Sequence, residues 1–92
     1  MEINLLWGAQ NDLLEACRRF GEPLHEKIDR ALDLIRENSE LAPLYKGQYH
    51  RKVVFRSCFA LYDTVEGGRI IVGAFLDQRQ DPKLIDRWLG LE

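Results

Sequence analysis

Three apolar, β-branched runs separated by short polar breaks dominate the second half of the chain. They predict consecutive β-strands over residues 49–56, 59–65 and 69–76. The break Gly67-Gly68 favours a two-residue hairpin turn, because glycine adopts positive φ without steric cost. Ser57-Cys58 is a weaker turn signal, since neither residue takes positive φ readily. The expected result is a three-stranded antiparallel meander, and one face of such a sheet needs a cover.

Two helical segments precede the strands and can supply that cover. Residues 2–7 form a candidate first strand, and Asn11 or Asp12 can cap a helix that ends at Gly21. Pro23 suits the first turn of a second helix, which closes near residue 38. The second helix has a clear apolar stripe, formed by Leu24, Ile28, Ala31, Leu32 and Ile35. A connection of about two residues makes the two helices an antiparallel hairpin.

The chain after the predicted meander indicates a short tail helix. Residues 40–48 are predicted to be a loop, and a polar run beyond Leu76 leaves the sheet before Pro82 opens the tail. Four apolar side chains are available to dock this helix: Leu84, Ile85, Trp88 and Leu89. Trp88 is expected to be its core anchor. The predicted class is α+β, with an N-terminal strand, a helical hairpin, the meander and the tail in one domain over residues 1–92.

Composition limits the classes of function. No apolar run approaches the roughly 20 residues of a membrane span, and no basic segment precedes an apolar stretch at the start of the chain, so we expect a cytoplasmic protein. The net charge of −2 argues against broad electrostatic adhesion to nucleic acid. Cys17 and Cys58 are expected to be free thiols, and no Cys/His spacing typical of zinc is present. We expect neither a metal nor a cofactor.

Positive charge is concentrated between Lys46 and Arg56, where four basic residues and no acidic residue occur. The two-residue period of a strand places His50, Lys52, Val54 and Arg56 on one side, about 7 Å apart. This column has two interpretations, an anion or nucleic-acid contact surface and a solvated outer face. If Ser57 and Cys58 alone form the turn, Lys52 lies opposite Asp63 and can pair with it, whereas a three-residue turn would move Lys52 to the other face.

Two further residues, Arg79 and His50, have side chains suited to binding or catalysis. Arg79 lies just beyond the last predicted strand, where it can act as a phosphate or carboxylate clamp or as a structural link between the strand and the tail. His50 has the chemistry of a general base, but no nucleophile or orienting carboxylate accompanies it in the sequence. No phosphate-binding glycine loop and no Ser/His/Asp arrangement is present.

The order of elements resembles that of the RelE/ParE superfamily, the toxins of bacterial type II toxin–antitoxin modules that include plasmid stabilisation systems. The resemblance covers nearly the whole chain. Its most specific part is residues 59–82, with an aromatic strand, a turn containing Glu66 and Gly67, a β-branched strand and the ending Arg79-Gln-Asp-Pro82. Residues 36–43 also resemble the helix end and loop of that family.

The resemblance implies one of two activities. RelE-type toxins cleave mRNA on the ribosome with basic residues of the sheet, which would here be Lys52, Arg56 and Arg79. ParE-type toxins bind DNA gyrase. Positions often basic in relatives are Ala60 and Thr64 here, and no tyrosine or histidine follows Arg79.

These departures and the acidic net charge favour a ParE-like toxin that binds a protein target and is neutralised by a small antitoxin. The alternatives are a ribosome-dependent endoribonuclease and a non-toxic member that serves as an interaction module. The resemblance and the charge pattern together nominate six target-binding residues: His50, Lys52, Arg56, Arg79, Lys83 and Arg87. No residue is assigned to the antitoxin contact.

Overall fold

Three helices and one five-stranded sheet form the structure, a computed structural model that describes residues 2–38, 42–55 and 59–91. The elements follow the chain as β1 (Glu2–Leu5), α1 (Trp7–Phe20), α2 (Glu22–Glu37), β2 (Leu44–Tyr45), β3 (Tyr49–Phe55), β4 (Phe59–Glu66), β5 (Arg69–Asp77) and α3 (Pro82–Leu89). The α+β class is therefore confirmed. Arg56, Ser57 and Cys58 lie outside the described residues, so the predicted turn after β3 lies outside them too.

The sheet has the order β1-β5-β4-β3-β2 and is mixed. Strands β3, β4 and β5 pair antiparallel in sequence, and Gly67 and Gly68 close the β4–β5 hairpin with φ of 57° and 76°. The prediction of a three-stranded meander was incomplete at both edges. Strand β1 pairs parallel with β5, and β2 forms within the predicted loop over residues 40–48. The pairing of β1 with β5 joins residues distant in sequence, and β2 is too short to show a two-residue period. Local sequence patterns therefore indicate neither feature.

Helix α1 begins at Trp7, four residues earlier than the predicted cap at Asn11. The N–H of Leu6 bonds to the carbonyl of Val72 at 3.0 Å, and the N–H of Gln10 bonds to the carbonyl of Leu6 at 2.9 Å. The parallel pairing of β1 with β5 thus ends directly in the first helical turn. The early start is set by this tertiary contact, since Leu6 provides no side-chain cap.

One face of the sheet packs against the helical hairpin. The core on this hairpin face is formed by Ala9, Leu13, Ala16, Leu24, Ile28, Ala31, Ile35, Leu61, Ile70, Val72 and Phe75. The stripe predicted on the second helix supplies four of these side chains, which confirms its orientation toward the sheet. Phe59 stacks on Phe75 with ring centroids 5.5 Å apart and extends the core toward the end of β5.

The opposite face of the sheet is covered by α3. Ala60, Tyr62, Ala74 and Leu76 form a second buried cluster with two side chains of the tail helix, Ile85 and Leu89. The sequence predicts a cover for one face only, whereas the structure covers both faces. Strands β4 and β5 carry small and apolar side chains on both faces. The tail folds back onto the sheet because covering the second face removes additional apolar surface from water.

The register between β3 and β4 differs from the one expected for a two-residue turn at Ser57 and Cys58. His50, and not Lys52, lies opposite Asp63, and Lys52 lies opposite Leu61. An irregularity between Val53 and Phe55 shifts the pairing. Residues directly opposite each other share a face of the sheet, so His50 and Lys52 lie on the hairpin face.

Candidate functional site

Helix α3 is positioned by a cap at each end and by two buried side chains. Oδ1 of Asp81 accepts a hydrogen bond from the backbone N–H of Lys83 at 2.9 Å, which satisfies a donor of the first turn. Gly90 ends the helix in the left-handed conformation with φ of 71°. Ile85 and Leu89 lie four residues apart and are both buried against the sheet.

Polar contacts fix α3 to the β2–β3 region. Tyr45 donates its hydroxyl proton to Oδ1 of Asp86 at 2.8 Å, and the Lys46 ammonium pairs with Oδ2 of the same carboxylate. Hydrogen bonding from Lys46 lowers the pKa of Asp86. Burial, helped by the hydrogen bond to Asp86, raises the pKa of Tyr45 to about 12. These contacts orient the helix about its axis and decide which side chains it presents outward.

The outward side of α3 carries two basic and two large apolar residues, which we call the α3 surface: Lys83, Leu84, Arg87 and Trp88. Trp88 is 68% exposed. The expectation that it anchors the tail was wrong, because Ile85 and Leu89 take the positions that face the sheet. Aromatic and arginine side chains together are typical of protein-binding surfaces.

A second exposed apolar group lies at the start of the helical hairpin. Trp7 is 79% exposed and Leu14, two helical turns later on the same side of α1, is 60% exposed. Leu6, just before the helix, is also exposed. We call these three residues the α1 surface. The sequence interpretation missed it because Trp7 was assigned to the first strand; the adjacent pair Leu13-Leu14 was the available signal, since a single inward stripe accommodates only one of them.

The basic residues predicted on β3 lie on the hairpin face, where they do not meet the α3 surface. His50 and Lys52 are both half-buried, and Nδ1 of His50 donates to the carbonyl of Ala42 at 2.8 Å, since a carbonyl only accepts. Arg56, the third basic member of the column, lies outside the described residues. Lys83 and Arg87 belong to the helix that covers the other face of the sheet.

Arg79 forms hydrogen bonds with Asp77, two residues earlier in the chain. Its Nε and Nη2 donate to the two carboxylate oxygens of Asp77 at 3.0 and 2.8 Å, and its backbone N–H donates to Oδ1 at 2.9 Å. Hydrogen bonding from Arg79 lowers the pKa of Asp77. The guanidinium thus links the residues that follow β5 to the last residue of the strand. The predicted basic residues therefore do not converge on one point within the described part of the chain.

Asp63 is an ionisable residue that the sequence interpretation considered only as a partner for Lys52. Its side chain is 0% exposed on β4, and neither carboxylate oxygen has a hydrogen-bond partner among the described residues. Burial raises the pKa of Asp63 to about 6, and the charge of His50 on the opposite strand acts in the other direction. The available signal was its position between Leu61 and Val65 at the two-residue period of an inward strand face.

The described residues contain neither a metal cluster nor a membrane span. No three His, Cys, Asp or Glu side chains among them lie close enough to hold a metal ion. No helix within residues 2–38, 42–55 and 59–91 combines the length and the apolar character needed to cross a bilayer. Comparison with known proteins finds no matching family model, curated protein or solved structure.

Proposed function

We propose that the chain is the toxin of a bacterial type II toxin–antitoxin module, of the ParE-like kind, and that it arrests growth by binding a protein target such as DNA gyrase in the cytoplasm. The order of elements supports this proposal. A strand, a helical hairpin, three consecutive antiparallel strands and a tail helix follow one another along the chain, as the RelE/ParE resemblance implies, with the two-residue strand β2 inserted before the three strands.

The solvent exposure of both tryptophans is the observation that favours protein binding over catalysis as the function. Trp7 and Trp88 are the two tryptophans in the sequence, and both have large solvent-exposed side chains. A tryptophan buries a large apolar area at low entropic cost when it enters a partner, which is why it is enriched among residues that dominate binding energy. A ribosome-dependent nuclease needs converging basic groups, whereas His50 and Lys52 lie across the sheet from Lys83 and Arg87.

The α3 surface is the proposed contact for the target. Lys83 and Arg87 lie one helical turn apart beside Leu84 and Trp88, so positive charge borders the apolar side chains. This arrangement suits a partner with an apolar recess bordered by acidic groups. The α1 surface is the proposed contact for an amphipathic segment of the antitoxin, which would cover the helical hairpin.

Purified protein tested in two assays distinguishes the activities. The proposal expects inhibition of gyrase supercoiling and intact mRNA in a translating extract. Unchanged supercoiling with mRNA cleavage would establish the endoribonuclease alternative, and Arg79→Ala should then abolish toxicity while leaving the fold intact. Induced expression without growth arrest would instead indicate an interaction module that has no toxicity.

A matched pair of tryptophan variants separates the two proposed surfaces. Trp88→Ala should abolish inhibition of the target, whereas Trp7→Ala should retain that inhibition and lose neutralisation by the antitoxin encoded beside it. Both side chains are exposed, so we expect each variant to keep the wild-type free energy of unfolding within about 0.5 kcal/mol. Loss of target inhibition in both variants equally would remove the assignment of separate surfaces.

A further inference from the structure

A concave site lies between α2 and β3, at the edge of the sheet and away from the α3 and α1 surfaces. It has a volume of about 150 Å³. Three basic side chains line it: Lys27 and Arg30, one turn apart on α2, and Lys52 from β3. Apolar side chains complete the lining, notably Leu34, Val53 and Val54. We call this site the α2–β3 cavity.

The positive charge of the α2–β3 cavity is not neutralised by the described residues. None of its three basic side chains forms an ion pair with a described residue, and none of the described residues that line the cavity carries a carboxylate. Glu26 precedes Arg30 by four residues, a spacing that favours pairing, but the two side chains form no ion pair. Asp33, the first acidic residue after Arg30 on α2, accepts a hydrogen bond from Arg36 at 3.3 Å instead.

The backbone adds a donor at the same place. The N–H of Arg51 points outward from β3 and bonds to the carbonyl of Pro43 at 2.9 Å. Peptide groups along a strand alternate between its two edges, so the N–H of Val53 points outward as well. Strand β2 pairs only with Tyr49 and His50, and no described strand continues along β3 beyond them. Val53 therefore offers an edge N–H beside the three cations.

We propose that the α2–β3 cavity binds the phosphate group of a small phosphorylated ligand. Three cations without acidic partners repel one another, and a compact dianion relieves that repulsion more fully than a single carboxylate. A cavity of this volume accepts one phosphate group together with a small part of the body that carries it. Leu34 and Val53 are exposed at this site and can contact a carbon portion of the ligand.

The grouping of the basic side chains around a single concavity favours a phosphomonoester over a nucleic-acid polymer. A polymer is bound along an extended basic track with successive stacking contacts, whereas the three cations here surround one concavity. The net charge of −2 for the whole chain also disfavours a long polyanion. This inference is independent of the proposed toxin activity, because it concerns a different surface and a different class of ligand.

Titration of the full chain with inorganic phosphate and with adenosine monophosphate, followed by amide chemical shifts at constant ionic strength, tests the proposal. Saturable shifts centred on Arg30, Lys52 and Val53 are expected, with sodium chloride producing none of them. Tighter binding of the nucleotide than of phosphate would show that the apolar lining contacts the ligand body, and equal affinities would identify free phosphate as the ligand.

Charge-removing variants provide the control. Arg30→Gln and Lys52→Gln should each weaken phosphate binding about fivefold or more, because each removes a charge-assisted donor. Arg69→Gln removes the same charge at the β4–β5 turn and should bind phosphate like the wild type. The proposal is overturned if all three variants bind equally, if the shifts fail to saturate, or if a single-stranded oligonucleotide binds while both small phosphates do not.

Discussion

Asp63 is the described residue whose environment conflicts most with its chemistry. A carboxylate on the central strand β4 is fully buried, and His50 is the opposite residue on the next strand. Removing a charged carboxylate from water without hydrogen bonds is unfavourable, so the folded protein holds the proton at higher pH than the unfolded chain does. The burial therefore makes folding depend on pH.

The pH dependence has a definite sign. The pKa of Asp63 is about 6 in the folded protein, against 3.8 as the ordinary value. The folded state thus binds more protons between these values, and the contribution of Asp63 to stability increases as pH falls through that window. Relative to Asp63→Asn, the wild type should gain up to about 3 kcal/mol of unfolding free energy between pH 7 and pH 4.

Urea unfolding of both proteins at matched pH values measures this gain. Other carboxylates, such as Asp77 and Asp86, have lowered pKa values, so their contribution to the stability of the folded protein is lost on acidification. They are present in both proteins and cancel in the difference. Parallel stability curves for wild type and Asp63→Asn would mean that the Asp63 carboxylate is hydrated in solution.

Gly73 is required by a close approach and not by its backbone angles. It occupies an irregular position in the β4–β5 ladder, where the pairing passes from Ala74 opposite Tyr62 to Val72 opposite Asp63. A Cβ atom at residue 73 would lie 3.2 Å from Cε1 of Tyr49. The Tyr49 hydroxyl donates to the carbonyl of Leu89 at 3.4 Å, so moving the ring also disturbs α3.

Gly73→Ala should lower the free energy of unfolding by about 1 kcal/mol. Overpacking costs about 1–3 kcal/mol, and the smaller entropy of the unfolded alanine chain returns about 0.4–1 kcal/mol. Thermal or urea unfolding gives the value. In a Tyr49→Leu background the close contact is absent, and the same substitution should become neutral or stabilising. An equal loss in both backgrounds would show that the Tyr49 ring is not the cause.

Among the elements, α3 has the most distinct division between a structural side and a binding side. Ile85 and Leu89 are buried, while Leu84 and Trp88, the residues immediately before them, are exposed. A helix of eight residues has little intrinsic stability in water. Its order depends on these two buried contacts and on the Asp86 interactions with Tyr45 and Lys46.

Alanine substitutions at adjacent positions test this division. Ile85→Ala should lower the free energy of unfolding by about 2–4 kcal/mol, because it leaves a cavity in the second core. Leu84→Ala, the matched control on the exposed side, should change it by no more than about 0.5 kcal/mol. Urea denaturation measures both changes. Similar losses in the two variants would mean that α3 is rotated about its axis relative to this arrangement.

In the whole molecule, two hydrophobic cores lie on opposite faces of one sheet, and both tryptophan side chains remain exposed to solvent. The hairpin face and the α3 face are both buried, yet neither core contains a tryptophan. A stable monomer would gain by burying those rings. Their exposure on α1 and on α3 is consistent with contacts to other proteins on two sides of the molecule.

Tryptophan fluorescence should report this arrangement directly. Native protein should show an emission maximum close to that of the urea-unfolded chain, and acrylamide should quench both states to a similar extent, because Trp7 and Trp88 already contact water. Binding of a partner at either surface should shift the emission to shorter wavelength. A native emission maximum typical of a buried indole would place at least one tryptophan in a core or in a self-associated interface.

The sequence by itself determined the positions of most elements. Apolar periods of two and of 3.6 residues are local properties, and they located α2, the three long strands and the tail helix to within a few residues. The Gly67-Gly68 turn and the start of α3 at Pro82 also follow from local chemistry, through positive φ and a missing N–H. Charge and resemblance nominated six basic residues as candidates for target binding, but they did not predict which of these residues lie close together in the folded protein.

The tertiary structure decided which residues meet. The parallel pairing of β1 with β5, the position of His50 opposite Asp63, and the outward orientation of Trp88 all depend on contacts between segments far apart in the chain. A shift of one residue in register moves every side chain of a strand to the other face. Local patterns do not specify that shift, so only the folded arrangement separates Lys52 from the α3 surface and places it beside Lys27 and Arg30.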